Sequence, residues 1–167
     1  MKSEKPYMGM DFWREKSLKP QTEETLRDIL LDYDPDSICV TYICSNSKLS
    51  EEFIEELIVL STSAFDHKTY YPDYNKYFIP IALESSSEKR REMINDLYKK
   101  VVEEKSLDVP VEMVTAALEA VEKHNLPFSS RVDWFNIVNY QDISDSFKDK
   151  YKEQTEHIKS CAQFAVE

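Results

Sequence analysis

The chain has 167 residues, of which 41% are hydrophobic and 32% charged, and a formal net charge of −11; that is enough apolar material for one domain with a single core and too much for disorder. Its one glycine, Gly9, leaves no source of the positive-φ turns and close backbone approaches that phosphate loops need, so P-loop and Rossmann readings fail and many-stranded sheets are disfavoured. Cys39, Cys44 and Cys161 lack zinc-site spacing and read as reduced, buried thiols, and no apolar run of about 18 residues or secretory leader is visible, which makes a cytoplasmic location with no membrane contact the default.

Residues 1–20 mix charge with Pro6 and Pro20, and their apolar Tyr7, Met8, Met10, Phe12 and Trp13 lack clean helical spacing, so an N-terminal arm is expected. Residues 21–167 then form a single domain. After Thr22, an N-cap, Leu26, Ile29, Leu30 and Tyr33 recur at three and four residues and mark a helix ending near Asp32. Asp34-Pro35-Asp36-Ser37 is another helix start, with acid at the positive end of the dipole. The β-branched Ile38, Val40, Thr41 and Ile43 that follow also suit a buried strand, and helix is the favoured reading. Ser50 caps a helix striped by Phe53, Ile54, Leu57, Ile58 and Ala64, with Leu49 placed to staple against Ile54.

From Asp66 to Phe78 the chain is aromatic and turn-like, and Ile79, Ile81 and Leu83 around Pro80 fit a broken helix or an edge strand. Ser85 and Glu88 form a capping box for the most regular helix, in which Met93, Ile94, Leu97, Tyr98, Val101 and Val102 repeat as far as Lys105. Asp108 starts a helix along Val111, Val114, Leu118 and Val121 that closes near His124 and Asn125, before Pro127. A short helix follows Asp133, a turn falls near Gln141, and a long helix runs from Ser144 to Phe164. The fold class is mainly α, a compact single-domain bundle of about six to eight helices. The alternative is α+β, with a small sheet from 38–44, 78–83 and 132–138.

A shift of 94 residues places Val40 on Trp134, Ile43 on Ile137, Leu49 on Ile143, Ser50 on Ser144, Phe53 on Phe147 and Leu57 on Tyr151. Both copies describe a short helix, a turn, a Ser cap and a longer helix. The second, Trp134-x-x-Ile137-x-x-Tyr140-Gln141-x-Ile143-Ser144-x-x-Phe147, resembles short helical repeats of phage and large DNA virus proteins, over residues 132–152. Those proteins carry tandem copies, usually with Leu before the Ser. The resemblance implies a helix-turn-helix shape and a viral origin, and it transfers no catalytic residue.

Charge is concentrated early: ten carboxylates and two bases lie between Gln21 and Leu60, so this stretch carries −8 of the −11. A field so localised steers a basic partner and repels nucleic acid, and the basic run Lys89-Arg90-Arg91 is diluted by Glu88 and Glu92. Glu51 and Glu52 sit in the first turn of their helix, where acid is stabilising. Glu55 and Glu56 each stand four residues after another Glu, a pairing that costs about 0.2–0.5 kcal/mol and points to a solvated face or a binding face. Tyr70, Tyr71, Tyr74 and Tyr77 lie in one short run, and tyrosines of this kind either pin a loop to the core or anchor a partner; Trp13 and Phe12 pose the same choice for the arm.

Catalytic readings are poorer. Asp32, Asp34 and Asp36 alternate as calcium-loop ligands do, but the loop's glycine and closing Glu are missing. His67, His124 and His157 show no metal-pair spacing, and all three cysteines lie in or beside apolar stretches, which points to structural burial. The expected function is therefore a non-enzymatic acidic protein without cofactor or metal that binds a basic surface of a partner protein, as an inhibitor, antagonist or immunity-type factor. Its contact residues would be Asp28, Asp32, Asp34, Asp36, Glu51, Glu52, Glu55, Glu56, Tyr70, Tyr71, Tyr74 and Trp13. The alternatives are a small metal-assisted hydrolase using Asp32, Asp34, Asp36 and His67, and a structural or scaffold subunit.

Overall fold

The computed structural model describes residues 5–16, 18–33, 38–46, 48–62, 70–123, 128–156 and 158. These hold ten α-helices and no strand: α1 (Met10–Lys16), α2 (Glu23–Asp32), α3 (Val40–Asn46), α4 (Glu51–Leu60), α5 (Asn75–Leu83), α6 (Ser87–Tyr98), α7 (Val111–Glu122), α8 (Trp134–Tyr140), α9 (Asp145–Lys150) and α10 (Lys152–Thr155). The protein is mainly α, as the scarcity of glycine and the helical spacing imply. Both segments open to a strand reading, 38–44 and 78–83, carry helix instead, and so does 132–138 from Trp134 onward.

α4 is the centre of the core. Phe53, Ile54, Leu57, Ile58 and Val59 are all fully buried, each worth about 1.5–3 kcal/mol of apolar burial. Ser50 caps the helix by accepting the Phe53 N–H at 3.0 Å. α5 and α2 pack on α4, and Phe78 of α5, Ile94 of α6, Met113 and Val114 of α7, and Ile137 of α8 are buried in the same core cluster. Phe128, from the segment before α8, meets Phe78 with ring centroids 6.3 Å apart.

Several boundaries differ from the sequence expectation, each for a local reason. The helix beginning α6 is capped by Ser86, whose hydroxyl accepts the Lys89 N–H at 3.3 Å. Ser85 is displaced from that role because Glu84 accepts the Ser86 N–H and Arg90 donates back to the Glu84 carbonyl. α6 continues as a π-helical turn, Lys99–Glu103, and stops at Lys105, whose φ of 54° is left-handed. α7 starts at Val111 behind Pro110, which supplies a preset φ of −56°, and not at Asp108. The long C-terminal helix is broken: α9 ends at Lys150, and Tyr151 leaves helical geometry at φ −111°, ψ 39° before α10. Ala64, His124, Asn125 and Phe164 lie outside the described residues.

The N-terminal arm contains α1, and α1 is docked. Trp13 is 2% exposed, donates its indole N–H to the Met8 carbonyl at 3.2 Å, and meets Tyr33 edge-on at 5.5 Å between ring centroids. Phe12 stands against both rings.

Candidate functional site

The two copies related by 94 residues pack against each other, α3 on α8. Their caps are alike. Ser50 and Ser144 have φ/ψ of −72°/156° and −73°/161°, and each accepts the N–H of the Phe three residues on. Among the bonds that cross between the copies are those joining Thr41 to Asp133, Leu49 to Gln141, Glu51 to Ser144, and Glu55 to Lys150 and Tyr151. Their separations of 92 to 96 residues stay close to the repeat spacing, so equivalent elements lie side by side and run parallel.

Gln141 is the buried link. Its Oε1 accepts the Leu49 N–H at 2.8 Å and its Nε2 donates to the Cys44 carbonyl at 2.7 Å, satisfying backbone groups at the end of α3 and the start of α4. Cys44 is buried close by, and desolvation pushes its thiol up to about 12.

α2 joins this arrangement in the same way. Glu23, the first residue after its Thr22 cap, accepts the Ser50 N–H of α4. Glu51, the first residue after Ser50, accepts the Ser144 N–H at 2.7 Å. One turn further, Arg27, five residues after Thr22, pairs at 2.8 Å with Glu56, six after Ser50. Glu55, five after Ser50, pairs at 2.8 Å with Lys150, six after Ser144. The three capped helices thus form a parallel row with α4 in the middle and two equivalent rungs on either side of it, the charges of the second rung being reversed from one step to the next.

This arrangement changes the meaning of the acidic helix. Glu51, Glu55 and Glu56 bond within the molecule, and Glu55 also accepts the Tyr151 hydroxyl at 2.5 Å. Glu56 further receives the Tyr70 hydroxyl at 3.4 Å, to which Asn75 donates at 3.1 Å. Burial is the leading cause that raises the Tyr70 and Tyr151 hydroxyls above their ordinary range, and the hydrogen bond to Glu56 holds the Arg27 guanidinium more firmly protonated. Tyr70 is buried, Tyr74 half-buried and Tyr71 exposed, so Tyr71 alone of the three offers an open ring. Trp13 faces the core and is closed to a partner.

Outward-facing acid is found elsewhere. Glu24 and Asp28 of α2 and Glu52 of α4 are exposed and pair with nothing among the described residues; Asp32 is exposed as well. Asp34, Asp36 and His67 lie outside the described residues, and among the described residues no group of three or more His, Cys, Asp or Glu side chains could hold a metal ion. An open groove of about 690 Å³ runs between α5 and the α9–α10 break, with Ile79, Leu83 and Met93 beside Lys76, Glu84 and Asp149. Its charges are mixed, and the bonded trio Glu55, Lys150 and Tyr151 also lines it. No described helix is long and apolar enough to cross a membrane.

The rungs were missed in sequence because each needs two helices far apart in the chain. A signal existed: aligning Thr22-Glu23, Ser50-Glu51 and Ser144-Asp145 puts opposite charges at fixed distances from the three caps. Compared with known proteins, the chain matches no family model, no curated protein and no solved structure.

Proposed function

We propose that the protein is a non-enzymatic interaction protein that engages a basic surface of another protein through the open carboxylates of α2 and α4. The supporting observation is the pair Glu24 and Asp28. They stand four residues apart on the exposed side of α2; the helix dipole favours Glu24 in the first turn, but Asp28 lies one turn on, the two repel by about 0.2–0.5 kcal/mol, and neither bonds within the described residues. Glu52 and the net charge of −11 add to a field that draws a cationic partner and speeds encounter. Occupying a cationic site in place of phosphate is the chemistry of an antagonist or inhibitor.

The test uses the intact chain as bait at low and high salt, beside a Glu24→Lys, Asp28→Lys double variant. A partner should be retained at low salt, released as salt rises and lost with the variant. Retention that ignores both changes would remove the basis for the reading. Glu55 and Glu56 are unsuitable for this purpose, because reversing them breaks the rungs.

A further inference from the structure

The row of capped helices stops at α9, and what would continue it is exposed. Asp145 occupies on α9 the position that Glu23 holds on α2 and Glu51 on α4, the first residue after the cap. Asp149 occupies the position of Arg27 and Glu55, five residues after it. Both aspartates are exposed and pair with nothing among the described residues. A third observation comes from the preceding helix. Thr41 of α3 reaches across to Asp133, and its equivalent 94 residues on is Phe135 of α8, a large apolar ring left 44% exposed. The second copy therefore turns outward the same three positions by which the first copy holds the second.

We propose that this edge, Phe135 with Asp145 and Asp149, docks a helix of a different protein that carries a Ser or Thr N-cap and a Lys or Arg six residues beyond it. The cap N–H would meet Asp145 as Ser50 meets Glu23 and Ser144 meets Glu51, and the base would meet Asp149 as Lys150 meets Glu55. Phe135 supplies the apolar anchor beside these polar contacts.

A second copy of this chain does not fit. Thr22 is followed at the required distance by Asp28, and Ser86 by Glu92, each setting acid against Asp149. The N–H groups of Ser50 and Ser144 are already taken. Asp133, the remaining side-chain cap among the described residues, has Asn139 at that distance. The edge lies at the far end of the row from Glu24 and Asp28, so its test and that of the α2 surface fail independently.

The probe is a hydrocarbon-stapled, fluorescein-labelled peptide of residues 143–156, which brings Ser144 and Lys150 on a helix with its cap free, titrated with the full-length protein. Binding should saturate. It should weaken roughly fivefold or more with Asp149→Lys in the protein, and equally with Lys150→Glu in the peptide. Combining the two reversals should restore it, which no general loss of structure would do. An absence of saturable binding, or binding indifferent to both reversals, overturns the proposal. Sedimentation of the full chain should show a monomer; a dimer that Asp149→Lys dissociates would assign the edge to a second copy and overturn the foreign partner.

Discussion

The Tyr151 hydroxyl donates to the Glu55 carboxylate at 2.5 Å, 96 residues away in the chain, while Lys150 reaches the same oxygen at 2.8 Å. The two contacts are unequal. Tyr151 is buried, whereas the Lys150 side chain is 61% exposed, so solvent screens its charge and leaves it worth about 0.2–1 kcal/mol. A buried bond to a charged group is worth about 1.5–3 kcal/mol. Tyr151→Phe is therefore expected to destabilise the fold more than Lys150→Met, in urea unfolding followed by circular dichroism.

Gln141 serves two backbone groups, the Leu49 N–H and the Cys44 carbonyl. Gln141→Leu keeps the volume and removes both bonds, leaving a buried donor and a buried acceptor. The expected loss is about 2–4 kcal/mol, read from the denaturation midpoint. A loss under 1 kcal/mol would mean that the α3–α4 turn does not depend on the second copy.

The protein should weaken in alkali. Cys44 is raised from 9.0 to about 12 by burial, and Tyr70 and Tyr151 are raised from 10.0 chiefly by the same cause. A group whose folded value lies above its unfolded value lends full stability below the unfolded value and loses it as pH rises, because the unfolded chain releases its proton first. Stability should thus be flat in these groups up to pH 9 and then fall by up to about 1.4 kcal/mol per pH unit for each group. Cys44→Ala should flatten the first part of that slope, and an unaltered slope would count against the thiol's share in it.

Lys105 closes the π-helical turn with a φ of 54°, a conformation that costs an L-residue about 1–2 kcal/mol and glycine almost nothing. Ser106 donates to the Lys100 carbonyl at 2.8 Å, so the turn is held by bonds that the substitution leaves intact. Lys105→Gly is expected to stabilise the protein by about 0.5–1 kcal/mol, seen as a raised thermal midpoint.

The helices with strong periodicity and a hydroxyl cap were legible in the sequence. Thr22 and Ser50 cap where the pattern places them, because the cap bond and the apolar stripe are both local. Residues 38–44 were ambiguous, since β-branched residues serve strand and buried helix alike, and the packing of α3 on α8 decided for helix. The break at Tyr151 was hidden for a similar reason: the hydroxyl's bond to Glu55 and the ring's contact with Trp134 at 5.4 Å are tertiary. The acidic face misled most. Charge count alone does not distinguish a carboxylate facing water from one facing Arg27, Ser144 or Lys150.

The distance along the chain between rung partners bears on synthesis. Glu51 bonds to Ser144, and 93 residues separate them, which at about 5–20 residues per second is roughly 5–20 s of translation. Until then α4 leaves the ribosome with its apolar stripe uncovered on that side and its carboxylates hydrated. The like charges of Glu51, Glu52, Glu55 and Glu56 on one such chain repel those on another, which opposes association through α4 until the rungs close.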